Sequence, residues 1–109
     1  MTEPIEMVKG DLKPSIKATL TYKDGSIVDL TSCSVKFHMK KDDGTLLIDK
    51  TATILNPPTD GRVQYDWASG ETNVTGLCKV EFEVTFADTK KQTFPAGEPF
   101  DIVFREENA

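Results

Sequence analysis

The chain has 109 residues, enough for one ordinary domain and too few for two comfortable ones. Apolar residues make up 38% of it and charged residues 28%, the balance of a soluble globular protein rather than a disordered tail. The net charge of −5, from 13 Lys plus Arg against 18 Asp plus Glu, excludes broad steering toward nucleic acid or an anionic membrane.

In chain order, Ile5 to Val8 reads as a short first strand, broken from the next one by Gly10-Asp11 and Pro14. Ile16, Ala18, Leu20 and Tyr22 then alternate with Lys17, Thr19, Thr21 and Lys23, the pattern of a half-buried strand. Asp24-Gly25 is a turn signal, and Ile27 to Leu30 a short extended piece. Cys33 to Met39 is the next strand, with Ser34, Lys36 and His38 on its polar phase. Lys40 to Gly44 turns the chain, and Leu46 to Leu55 supplies one edge or irregular strand. Its Asp49 and Lys50 discourage pairing with another chain.

Asn56-Pro57-Pro58 cannot continue a ladder, because proline lacks the donor. Val63, Tyr65 and Trp67 form an inward aromatic phase beyond that loop. Trp67 lies near a strand end, where partial burial is expected. Ala68 to Gly76 is polar and turn-rich, with room for one short helical turn. Leu77 to Phe86 is the clearest strand: Cys78, Val80, Phe82, Val84 and Phe86 on one face, Lys79, Glu81, Glu83 and Thr85 on the other. Asp88-Thr89 starts a hairpin whose return begins at Gln92 to Phe94. Pro95 to Pro99 interrupts it, and Phe100, Ile102 and Phe104 finish it.

The total is about seven or eight short strands joined by turns, which predicts an all-β, immunoglobulin-like antiparallel sandwich or a small barrel. No window reaches three amphipathic helical turns, so a helix bundle is excluded. Residues 1–109 read as a single sandwich domain with flexible ends near 1–4 and 106–109. The expected core takes in Phe37, Tyr65, Trp67, Phe82, Phe86, Phe100 and Phe104.

Chemistry is sparse. His38 is the one histidine and falls on a polar phase, so it reads as an exposed surface residue. Glu81 and Glu83 share a face about 6.5–7 Å apart by strand rise, a spacing that any charged outer sheet face produces. Asp42-Asp43-Gly44 lacks the ordered oxygen ligands of a calcium loop, and the seven glycines are scattered over turns rather than gathered in a phosphate loop. Cys33 and Cys78 both fall in phase with apolar neighbours. They read as buried free thiols, with a disulfide across the sheets as the alternative. No catalytic, cofactor-binding or metal-ligating residue is assigned, and no cofactor is called for. No stretch approaches the ~18–20 apolar residues of a membrane span, and Met1-Thr2-Glu3-Pro4 does not open a signal peptide.

What remains is recognition by surface, through sheet edges or through loops 56–61 and 68–76. Val103, on the otherwise polar phase of the last strand, is a small pointer to a covered outer face. Several fragments carry a likeness in order: Gly10-Asp11, Ile16 to Thr21, Asp24-Gly25, Val28 to Thr31, Val35 to Met39, Gly61 to Trp67, Gly76 to Phe86 and Thr93-Phe94-Pro95. Together they span roughly residues 8–105. On them, the chain resembles the N-terminal immunoglobulin-like domain of the baseplate upper proteins of phages of Gram-positive hosts.

The resemblance implies a non-enzymatic structural or adaptor protein of a phage or prophage tail or baseplate. Its partners would be other virion proteins, with a homo-oligomer allowed and neither nucleic acid nor membrane insertion involved. Its place would be the virion, and the host cytoplasm during assembly. The competing reading is a carbohydrate- or cell-surface-binding module. That would need an exposed aromatic platform, for which Tyr22, Tyr65 and Trp67 are the candidates.

Overall fold

The computed structural model describes residues 5–95 and 101–106. The expectations placed on Phe100, on the interruption at 96–99 and on the chain ends at 1–4 and 107–109 lie outside the described residues.

Nine strands form among the described residues: β1 (Ile5–Val8), β2 (Ile16–Thr19), β3 (Ser34–Lys41), β4 (Leu46–Thr51), β5 (Thr53–Ile54), β6 (Arg62–Tyr65), β7 (Gly76–Thr85), β8 (Lys91–Pro95) and β9 (Asp101–Arg105). They build two sheets. A six-stranded sheet runs β1-β9-β7-β3-β4 with β8 also on β7, and a three-stranded sheet runs β2-β6-β5. This is the expected immunoglobulin-like sandwich, with one more division of the chain than alternation alone revealed.

That division is at Ala52. The segment expected as one strand leaves the large sheet after Thr51 and enters the small sheet at Thr53. Ala52 is buried at the crossing, and its N–H donates to the Val35 carbonyl at 2.8 Å. A small side chain lets the backbone pass between the layers there. The return from β7 is divided as expected, into β8 and β9. The ten-residue β7 pairs with β3 along one flank and shares the other between β8 and β9. Glu81 faces Pro95 and Lys79 faces Asp101, so a short step along β7 is matched by a longer one between β8 and β9.

β1 departs from the antiparallel expectation. It runs parallel to β9, with Ile5 opposite Ile102 and Val8 opposite Arg105. Antiparallel neighbours are favoured where a tight turn joins them, and β1 and β9 are the first and last strands, joined by no such turn.

Period 2 places one phase of β3 and β7 inside. Val35, Phe37 and Met39 face Val84, Phe82 and Val80 across the ladder, and all six are buried. The small sheet adds Ile16, Val63 and Tyr65, and β9 adds Ile102 and Phe104. The layers meet through aromatic contacts. Phe37 of the large sheet stacks on Tyr65 of the small one, centroids 4.1 Å apart and planes within 5°. Trp67 stands edge-on to Phe37, Tyr65 and Phe104 at 5.7, 5.7 and 5.9 Å. Contrary to expectation, Trp67 is buried, because Phe104 covers it and its Nε1–H donates to the Pro14 carbonyl at 3.0 Å.

The short helical turn lies at Pro58–Asp60 rather than within 68–76, where hydrogen-bonded turns replace it. Gly61 closes that turn at φ 67°. A Cβ there would sit 2.8 Å from the Val28 carbonyl oxygen, so only glycine fits.

Candidate functional site

A polar cluster around Glu71 closes the gap between the two sheets. Its carboxylate is only 10% exposed. It accepts the Tyr65 hydroxyl at 2.8 Å, the Ala68 N–H at 2.7 Å and the Lys50 ammonium at 2.7 Å. Lys50 comes from β4 and Tyr65 from β6, so one carboxylate ties an edge of the large sheet to the small one. Burial alone would raise the Glu71 carboxyl. Lys50, Ala68 and Tyr65 outweigh it, and the net shift is downward. Burial and the bond to Glu71 hold the Tyr65 phenol protonated far above its ordinary range. With its oxygens engaged, Glu71 serves as a buckle, not as an acid or base.

Several other acidic groups are also used locally. Asp24, Asp29, Asp43 and Asp88 each accept the backbone N–H two residues on, from Ser26, Thr31, Thr45 and Lys90. These are side-chain turns that mimic a backbone turn. Asp42-Asp43-Gly44 is therefore a hairpin device. Glu83 lies 4.0 Å from Lys91 on the outer face of the large sheet. His38 is less exposed than expected, at 18%, because Nε2 meets Asp49 Oδ1 at 2.9 Å and β7 covers its other side with Glu81 in register. Among the described residues no group of three or more His, Cys, Asp and Glu could hold a metal ion.

The two cysteines are free. Cys78 is fully buried as expected, whereas Cys33 is half-buried just ahead of β3. Their positions rule out a disulfide between them. Cys78 pairs with Lys41 at one end of the β3–β7 ladder, and Cys33 precedes Ser34, which pairs with Thr85 at the other. Burial, then the nearby Asp29 carboxylate, pushes the Cys33 thiol up, so it is a poor nucleophile.

The aromatic platform does not form. Tyr65 and Trp67 are buried, and Tyr22, 37% exposed, stands edge-on to Phe94 at 5.8 Å. Two concavities are open, with mixed polar and apolar linings. One of about 570 Å³ lies among Glu6, Asp11, Lys13, Arg105 and Glu106, where Arg105 already holds Glu6 at 2.7 Å. A groove of about 270 Å³ runs past Lys17, Thr19 and Arg62.

The sheet edges and the loops carry the other exposed features. On β4 the register slips, with Met39 opposite Ile48 but Lys40 opposite Leu46, so Leu47 is an extra residue. This bulge leaves Leu46 and Leu47 consecutive and exposed, at 52% and 38%. Asp49 and Lys50, expected to guard that edge, are engaged by His38 and Glu71. Loop 56–61 is held by the Leu30 N–H on the Pro58 carbonyl, and loop 68–76 by Glu71 and by buried Thr72. Val103 is half-covered within the outer face. No helix among the described residues is long and apolar enough to cross a membrane.

Comparison with known proteins decides between the readings. Residues 2–95 match the family model of the BppU N-terminal domain, the N-terminal domain of the baseplate upper protein. The chain belongs to this family. A BppU N-terminal domain is a structural component of the phage baseplate and acts through protein contacts. This domain is accordingly a virion structural part and not an enzyme. No curated protein matches the chain. Among solved structures it is similar to the crystal structure of CopC from Methylosinus trichosporium OB3b, with TM-score 0.50 and 10% identity. That likeness covers 99% of this chain and 89% of that one, and it concerns the fold alone.

Glu71 is the residue that sequence reasoning missed. Its surroundings, Gly70-Glu71-Thr72-Asn73, are those of any polar turn. One signal was available: an inward tyrosine such as Tyr65 needs a partner for its hydroxyl.

Proposed function

We propose that this BppU N-terminal domain is a rigid adaptor that joins other tail or baseplate proteins, and that it assembles with them in the host cytoplasm. Residues 1–109 act as one sandwich unit, and a homo-oligomer within the particle fits the same surfaces. The observation that carries this reading is the family match, set beside a fold in which several acidic side chains hold turns and sheets together. The exposed Leu46–Leu47 pair on β4 is the preferred contact, since a bulged edge offers side chains rather than a bare ladder.

Co-expression with the tail and baseplate proteins of the same phage tests it, read by affinity capture and light scattering. A stoichiometric complex is expected. A strict monomer that captures none of them would overturn the reading.

A further inference from the structure

The parallel pairing of β1 with β9 has a mechanical meaning. The segment before Ile5 leaves the pair at one end, beside Ile102, and the segment after Arg105 leaves at the other, beside Val8. A pull between these two segments therefore drags the strands past each other along their length. All four rungs, from Ile5–Ile102 to Val8–Arg105, resist together. An antiparallel pair pulled from adjacent ends would open one rung at a time.

The neighbouring contacts oppose sliding. Met7 of β1 and Ile102 and Phe104 of β9 are buried in the core, and sliding must lift them out or turn them to the wrong face. On the outer face Arg105 bonds Glu6 at 2.7 Å, diagonally across the pair. β9 is also held along its other side, where Phe104 to Asp101 pair with Gly76 to Lys79 of β7. Past β1, the chain is pinned again by the Lys9 N–H on the Arg105 carbonyl and the Gly10 N–H on the Thr72 carbonyl.

We infer that the β1–β9 pair is a tension-bearing clasp, which lets the domain transmit a pull along the chain without unfolding. This rests on the adaptor reading only for the source of the pull. The clasp is a property of the isolated domain and fails or stands without any partner present.

Single-molecule pulling tests it, because forced rupture reports the barrier to unfolding rather than equilibrium stability. In one geometry the handles sit at the two chain ends. In the other they sit at Asp11→Cys and the C-terminal end, in a Cys33→Ser background with Cys78 buried. Asp11 lies just past the Val8–Arg105 end of the pair, so this second geometry peels β9 rung by rung. A rupture force several-fold higher for the end-to-end pull is expected. Equal forces, or a weaker end-to-end pull, would overturn the clasp. Met7→Ala should lower the end-to-end force, and an unchanged force would place the resistance elsewhere and reject the proposal.

Discussion

Phe82 is fully buried, lies opposite Phe37 on the β3–β7 ladder and meets its ring at 5.5 Å. Phe37 in turn stacks on Tyr65, so a cavity at Phe82 would loosen the contact that joins the sheets. Phe82→Ala should cost roughly 3–5 kcal/mol, measured as a shift of the urea midpoint at constant slope. Glu71 works differently. Its carboxyl is lowered in the native state, so its stabilisation is complete above the ordinary carboxylate value of 4.5 and is lost as pH falls through the lowered native value. Glu71→Gln should destabilise by about 1–3 kcal/mol at neutral pH. It should also flatten the acid limb of stability against pH, followed by urea unfolding at successive pH values. Alternation along the chain revealed Phe82 and could not reveal Glu71. Burial of an apolar residue follows from its own phase, whereas a carboxylate becomes a buckle only through what the fold brings to it from β4 and β6.

Strands with continuous alternation, β3 and β7, were legible with nearly their observed bounds. Their inward phases are uniformly apolar over most of their length. The Leu46 to Leu55 segment was not, because an alternating pattern is unchanged when a strand crosses from one sheet to the other. Ala52 marks the crossing only after both partners are known. The direction of β1 was equally hidden, since side-chain phase carries no information about strand polarity. β9 depends on these choices more than its length suggests. It lies between β1 and β7, and Ile102, Val103 and Phe104 pair with both neighbours. Val103, opposite both Glu6 and Leu77, tests this. Val103→Pro removes a ladder donor and should cost about 1–3 kcal/mol for the partner left unsatisfied. Hydrogen exchange should show the amides of Ile5–Val8 losing protection first, while those of β6 keep theirs.

At the scale of the whole molecule, several acidic groups hold turns and sheets together, and the exposed large apolar side chains among the described residues are scattered, Ile5, Val8, Leu12, Tyr22 and Ile27 among them. Leu46 and Leu47 stand out because they adjoin on a bulged edge. Replacing both with lysine should move monomer stability by no more than about 0.5 kcal/mol, as for other surface positions. The same change should weaken capture of co-expressed baseplate proteins. Retained capture would move the contact to another edge. The structural role was within reach of sequence only through family likeness, because an adaptor needs no constellation of reactive groups to announce it.

The separation of Cys33 and Cys78 to opposite ends of one ladder reaches beyond the cysteines themselves. The two thiols are too far apart to join as a disulfide, and burial raises both above the ordinary thiol range. The melting temperature should therefore be the same with and without a reductant. The interior of the sandwich thus depends on packing alone, with no internal Cys33–Cys78 crosslink to gain or lose when the redox surroundings change.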